Sequence, residues 1–233
     1  MKLAIIPARG GSQRIPRKNI KLFGGKPIIA WSIAAAQNSG IFDYIMVSTD
    51  DVEIANIAHD YGADVPFMRP SGLSDDHTGT MPVVTHAVKW CKTKGLDPDH
   101  VCCIYATAPF IRSADIRKGF DLLAQTEANF VFSVTSYAFP IQRAFKLLED
   151  GNIEMFDSTQ FLTRSQDLPE AYHDAGQFYW GTQAAWLSGA PMFEAGSVPV
   201  ILPRYRVQDI DTLEDWQQAE ALMKAIEVDK KNL

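Results

Sequence analysis

Two stretches of the chain carry side chains whose types and spacing suit phosphate chemistry. The first is Ala8-Arg9-Gly10-Gly11-Ser12-Gln13-Arg14-Ile15-Pro16-Arg17-Lys18-Asn19, close to the start. Gly10 and Gly11 let backbone N–H groups approach an anion with no Cβ in the way. Ser12 adds a hydroxyl donor. Arg9, Arg14, Arg17 and Lys18 add positive charge, and arginine holds phosphate oxygens through two parallel hydrogen bonds. The second stretch is Asp209-Ile210-Asp211. In an extended segment its two carboxylates point to one face. That suits Mg²⁺, which takes one or two carboxylates together with phosphate oxygens and waters. It also suits a helix start, with Asp211 or Thr212 as the cap. A phosphate loop elsewhere in the chain adds weight to the metal, because metal and phosphate share sites.

Charge is distributed to match. Residues 1–42 contain no Asp or Glu, and 7 of the 22 Lys and Arg lie in the first 26 residues. The whole chain carries a formal charge of −6. Its net field repels polyanions, whereas a local basic loop binds a small multivalent anion over roughly one Debye length, about 8–10 Å. A nucleic-acid arm is disfavoured, since no aromatic residues interleave the basic ones. The loop is neither a Walker A sequence nor a Gly-x-Gly-x-x-Gly fingerprint. The residues alone therefore describe a phosphate-binding loop of another kind, against the plainer reading of a solvated turn.

Other clusters carry less. Asp75-Asp76-His77 precedes a helix and reads as capping and solvated loop rather than a metal cluster. No His-Glu-x-x-His or Gly-x-Ser-x-Gly occurs, which disfavours covalent catalysis. Cys91, Cys102 and Cys103 show no metal or disulfide spacing and read as reduced core residues of a cytoplasmic protein. Cys102 and Cys103 are expected on opposite faces of one strand. No signal peptide is expected, since the first apolar run ends at Pro7 and Arg9, and no apolar run reaches the roughly 20 residues that span a bilayer.

The elements that must position these groups alternate. An apolar strand feeds the basic loop. A helix is expected from Lys26-Pro27 to Ser39-Gly40, a strand over Tyr44–Ser48, and a helix over Val52–Tyr61 capped by Thr49-Asp50-Asp51. A helix from Thr80 to about Lys92, a strand over Val101–Ala106, a helix from Ser113 and a strand over Asn129–Ser136 follow. Gln177–Gly181 and Ser197–Ile201 read as strands, Val207–Ile210 as extended, and Thr212 starts a last helix. This predicts an α/β fold with a mostly parallel, Rossmann-like sheet and ligands beyond the carboxyl ends of its strands. The α/β domain is expected over 1–136 and 176–233. Residues 137–175 read as an extended excursion with a hairpin turn at Glu149-Asp150-Gly151-Asn152, and as a dimer surface or a lid.

Ile6-Pro7-Ala8-Arg9-Gly10-Gly11-Ser12, followed by Ile15-Pro16-Arg17-Lys18-Asn19, resembles the opening motif of the CMP-sialic acid synthetase (acylneuraminate cytidylyltransferase) family. The likeness continues through Ser48-Thr49-Asp50, Arg69-Pro70 with Leu73 and Asp76, Thr107 with Pro109, Gly176, and Asp209-Ile210-Asp211-Thr212. Tyr105-Ala106-Thr107-Ala108-Pro109-Phe110 turns it toward members that activate pseudaminic acid. Two positions depart from the sialate pattern: Gln13 stands where lysine is usual, and Tyr105 where glutamine is.

This resemblance implies a nucleotide-diphospho-sugar transferase type of fold and a homodimer. It implies CTP as cosubstrate, Mg²⁺ as cofactor and a nine-carbon 2-keto sugar acid as acceptor. Ala8, Arg9, Gly10, Gly11, Ser12, Arg17, Lys18 and Asn19 would hold the nucleotide, with Arg69 and Thr80 at its base or ribose. Arg9, Lys18 and Asp211 would be catalytic, and Asp209 and Asp211 would hold the metal. Tyr105, Arg143, Arg164, Gln177 and Tyr179 would meet the sugar, with Arg143 or Arg164 at its carboxylate, from the same protomer or its partner. Arg14 or Arg17 would replace the cation missing at Gln13. CMP-legionaminic or CMP-N-acetylneuraminic acid synthesis, and a nucleotide-binding module without chemistry, are the competing readings.

Overall fold

The computed structural model describes residues 1–231, with side chains described to Ile226. In chain order the strands are β1 (Lys2–Pro7), β2 (Leu22–Phe23), β3 (Lys26–Pro27), β4 (Tyr44–Ser48), β5 (His100–Ile104), β6 (Phe130–Ser136), β7 (Phe145–Leu147), β8 (Ile153–Met155), β9 (Tyr172–Thr182) and β10 (Ser197–Ile201). The α-helices are α1 (Ile29–Ser39), α2 (Val52–Asp60), α3 (Thr80–Thr93), α4 (Ser113–Gln125), α5 (Gln183–Ser188) and α6 (Leu213–Lys231).

Six strands form one sheet in the order β10-β6-β9-β5-β1-β4. β1 pairs in parallel with β4 and β5, and β10 in parallel with β6. β9 runs antiparallel to both neighbours, so the sheet is mostly parallel, as expected, with one reversed strand. Period-two alternation along buried strands fills both faces. Ala4 and Ile6 pack with α1, α2 and α4, whereas Leu3 and Ile5 pack with α3 and α5. Cys102 and Cys103 fall on opposite faces in the same way, and burial raises both thiols.

Two local expectations change. Lys26-Pro27 does not open α1. It pairs with Leu22–Phe23 in a short ribbon, Leu22 opposite Pro27 and Phe23 opposite Lys26, and the helix begins at Ile29. Gly24 and Gly25, both at positive φ, make the turn, and Phe23 is buried beneath Phe110 and Trp216. Val207–Ile210 forms no strand; it follows a single 3-10 turn at Arg204–Arg206.

The region 137–175 contains the β7–β8 hairpin, with Phe145 opposite Met155 and Leu147 opposite Ile153. Its turn lies over Glu149–Asn152, with Gly151 at φ 85. β9 already begins at Tyr172, so the last residues of this region belong to the sheet.

Candidate active site

Three neighbouring parallel strands, β5, β1 and β4, end on one edge of the sheet. The chain leaves β1 toward β4 on one side and reaches β5 on the other. A crevice opens where the winding reverses. The loops after β1 and β5 line a cavity of about 250 Å³ there. Arg9, Ser12, Gln13, Arg14, Lys18 and Asn19 form one wall. Arg69, Thr78, Thr80 and Tyr105 form the other, and Asp211 closes it.

A small third core brings the two ends of the chain together. Ile15 of the basic loop, Phe23 of the ribbon, Ile210 and Trp216 of α6 are all buried in it. Because Ile210 points into this core, its neighbours are turned outward. Lys18 Nζ donates to the Ile210 carbonyl at 2.6 Å and lies 3.2 Å from Asp211 Oδ1. Arg14 Nη2 stands 2.9 Å from the other Asp211 oxygen. The helix-start reading of Asp211 falls away. Thr212 and Asp215 cap α6 reciprocally: Asp215 N–H donates to Thr212 Oγ1 at 3.2 Å, and Thr212 N–H to Asp215 Oδ2 at 2.7 Å. Asp209 is an exposed residue outside the cavity wall. Desolvation and the neighbouring Asp211 still raise its carboxyl above the usual range.

The glycine-rich loop is held from beneath by the turn after β4. Gly10 N–H donates to Asp50 Oδ1 at 3.0 Å. A Cβ on Gly10 would sit 2.6 Å from Asp51 Oδ2, so glycine is required by the close approach. Asn19 ties the loop to itself, its Nδ2 donating to the Arg9 carbonyl at 2.9 Å. From above, Asp76 accepts from Gln13 Nε2 at 2.5 Å and pairs with Arg9 Nη2 at 2.6 Å, while Arg9 Nη1 donates to the Asp75 carbonyl. Asp75 caps its own turn, accepting from the N–H groups of His77 and Thr78. The Asp75–His77 segment is thus a capping turn, as expected, but Asp76 also straps it to the basic loop.

Arg69 is the most telling cation. Its side chain is 4% exposed, and its Nε and Nη2 make no hydrogen bond. The nearest carboxylate oxygen, on Asp50, lies 3.7 Å from Nη2. Burial pulls its pKa down, with Asp50 opposing. A buried guanidinium with idle donors on a cavity wall is costly unless an anion or carbonyl meets it. On the same wall, Tyr105 OH and Thr80 Oγ1 lie 2.9 Å apart.

Residues 3–228 match the family model described as cytidylyltransferase. The chain belongs to the cytidylyltransferase family. It is 48% identical over 222 residues to a pseudaminic acid cytidylyltransferase of Campylobacter jejuni, covering 95% of this chain and 96% of that protein. It is 30% identical over 226 residues to a CMP-N,N'-diacetyllegionaminic acid synthase of Legionella pneumophila, covering 95% and 96%. Among solved structures, a CMP:2-keto-3-deoxy-manno-octonic acid synthetase complexed with CTP aligns with a TM-score of 0.68 at 16% identity, covering 96% of this chain and 98% of that one. That last likeness speaks for the fold.

The residues singled out from sequence sort themselves within this cytidylyltransferase. Arg9, Ser12, Lys18, Asn19, Arg69, Thr80, Tyr105 and Asp211 meet at the cavity. Ala8 is buried beneath it, and Gly11 is exposed at the loop's tip. Arg17 turns away to Asp51 and Glu53, which leaves Arg14 as the additional cation on the cavity wall beside Gln13. Gln177 is buried and donates to the Arg206 carbonyl at 2.7 Å. Tyr179 lies one layer behind Tyr105, ring centroids 5.0 Å apart, its hydroxyl donating to Asp174 at 2.5 Å. Arg143 and Arg164 stay on the excursion, beside Ser165 and Asp167 respectively. Sequence reasoning missed Asp76 and the Asp50–Asp51 turn as supports of the loop. The surplus of cations in residues 1–26 was the available signal, because a dense positive loop needs nearby acids to fold against.

Proposed function

We propose that this cytidylyltransferase transfers CMP from CTP to the anomeric hydroxyl of pseudaminic acid, a nine-carbon 2-keto sugar acid, and releases pyrophosphate. The hydroxyl oxygen bonds to the α-phosphorus, the bond from that phosphorus to the β-phosphate bridging oxygen breaks, and the hydroxyl proton passes to solvent. The observation that carries the reading is the convergence of Arg9, Arg14, Lys18 and Arg69 on one cavity closed by Asp211. The sugar is drawn from the 48% identical relative and its name.

Phosphoryl charge shifts onto the departing pyrophosphate, so cations held in place before reaction supply most of the acceleration. Lys18 is held by the Ile210 carbonyl and Arg9 by the Asp75 carbonyl, so neither must reorganise to meet the phosphates. The idle N–H groups of Arg69 suit a nucleotide's carbonyl or phosphate oxygen. Tyr105, beside Thr80, forms the wall toward the sugar, and Tyr179 supports its ring. Among the described residues, no group of three or more His, Cys, Asp or Glu side chains could hold a metal unaided. The two hard carboxylates of Asp209 and Asp211 suit Mg²⁺ that completes its shell with phosphate oxygens and water. Desolvation, and after it repulsion from Asp211, raise the Asp209 carboxyl, and a divalent cation would relieve the repulsion. Bound there, Mg²⁺ supplies charge neutralisation and orientation of the α-phosphate.

The excursion suits a homodimer contact. Phe139, Leu147 and Leu162 are 82%, 75% and 87% exposed, and Phe145, Ile153 and Phe156 of the same region are exposed as well. A partner there would bring Arg143 or Arg164 within reach of a neighbouring site for the sugar carboxylate. No helix among the described residues is long and apolar enough to cross a membrane, and the three cysteines are free. Cytoplasmic action on soluble substrates suits both. Pyrophosphate release with CTP and pseudaminic, legionaminic or N-acetylneuraminic acid tests the reading. Turnover should be fastest with pseudaminic acid, and preference for another acid reassigns the sugar.

A further inference from the structure

Arg17 is the basic-loop cation that does not face the cavity. Ile15 and Lys18, on either side of it, line that cavity, and Arg17 does not. Residues 15–18 form a turn in which Lys18 N–H donates to the Ile15 carbonyl at 3.2 Å. Pro16 occupies the second position and Arg17 the third, at φ 56 and ψ 30. That third position is glycine's or asparagine's place in such a turn. Among the described residues Arg17 is the only non-glycine residue at positive φ. Strain of this kind persists where surrounding contacts over-determine it.

Those contacts are specific. The Arg17 guanidinium donates to both oxygens of Asp51, at 2.9 Å from Nη2 to Oδ1, and to Glu53 at 2.5 Å. Asp51 also caps α2, accepting from Ile54 N–H at 3.0 Å, and packs beneath Gly10. Directly after the strained residue, Lys18 reaches the Ile210 carbonyl and Asp211. We propose that Arg17 is a positioning residue: its ion pair with Asp51 and Glu53 anchors the strained turn to α2 and so aims Lys18 across the cavity. The inference rests on the cytidylyl-transfer reading above and adds to it a residue that touches no substrate.

Two variants test it. Arg17→Gly keeps the turn, since glycine takes positive φ freely, and removes the anchor. Asp51→Asn keeps the cap of α2 and removes the charge that Arg17 grips. Each should lower kcat for pyrophosphate release about 10- to 100-fold, the scale of a small misplacement of a catalytic group. The double variant should be no slower than either single one. In a Lys18→Met background, Arg17→Gly should change CTP affinity by less than about twofold, because its effect runs through Lys18. Melting temperatures, read alongside, should fall by only a few degrees, because the Arg17–Asp51 pair is partly exposed. Should Arg17→Gly melt early, Asp51→Asn carries the test alone. Full activity of Arg17→Gly overturns the inference. So does a slow Arg17→Gly beside a fully active Asp51→Asn, which makes Arg17 a direct ligand. Absence of pyrophosphate release by the unaltered enzyme with every sugar acid refutes the cytidylyl-transfer reading instead.

Discussion

Replacing Arg69 with methionine separates the two uses a buried cation can have. Methionine fills a similar elongated volume, so the cavity wall keeps its shape. If the guanidinium is there for ligand, the folded protein loses little. It sheds a buried charge whose nearest carboxylate oxygen is 3.7 Å from Nη2 and whose Nε and Nη2 are unbonded. An unsatisfied buried polar group costs about 1–3 kcal/mol, so its removal offsets the lost attraction to Asp50. The melting temperature should hold or rise by a few degrees. CTP binding should suffer. Two hydrogen bonds from a charged donor contribute about 1.5–3 kcal/mol each. After discounting for Asp50, about 2–4 kcal/mol remains, or roughly 30- to 700-fold in CTP affinity. Isothermal titration calorimetry with CTP and differential scanning fluorimetry read the two effects on the same sample. A variant that binds CTP within about twofold of the unaltered protein but melts much earlier would refute the reasoning. Arg69 would then be a structural partner of Asp50.

Other perturbations probe the supports of the site. Gly10→Ala drives a Cβ to 2.6 Å from Asp51 Oδ2, and Asp51 is clamped by Arg17. Overpacking of that kind costs about 1–3 kcal/mol, and the KM for CTP should rise in steady-state assays. The hydrogen bond from Arg17 holds the Asp51 carboxyl below its usual range. A depressed carboxyl contributes stability above its unfolded value near 3.8 and loses it as pH falls through the folded value. Urea midpoints should therefore drop as pH falls below about 3.8, and Asp51→Asn should remove part of that slope. The proposed homodimer should fall to monomers by light scattering in Leu147→Asp, on the β7–β8 hairpin; a dimer mass that persists would move the interface elsewhere, and a monomeric unaltered protein would remove the dimer proposal.

The central sheet was legible because β1, β4 and β5 are buried on both faces and read as short unbroken apolar runs. The opposite facing of Cys102 and Cys103 followed from the same pleat. The reversal of β9 was not legible, because alternation along a strand carries no direction. Nor was the Leu22–Pro27 ribbon, whose existence depends on a two-glycine turn and on Phe23 finding Trp216 far along the chain. At the site, residue type marked the loops that line the cavity but not which way each cation turns. Arg17 and Lys18 are adjacent, yet one grips Asp51 and the other reaches Asp211, partners brought close only by the tertiary fold. Gln177 and Tyr179 share one face of β9 and are both buried, and a polar residue buried for structure looks the same in sequence as one facing a ligand.

The most direct test of the whole account is pyrophosphate release by Asp211→Ala beside the unaltered enzyme, with CTP, Mg²⁺ and pseudaminic acid. The unaltered enzyme should turn over with CTP and far more slowly with ATP, GTP or UTP. Asp211→Ala should lose activity by orders of magnitude while its melting temperature stays near that of the unaltered enzyme, since Thr212 and Asp215 still cap α6. Near-normal release from that variant would contradict the site described here.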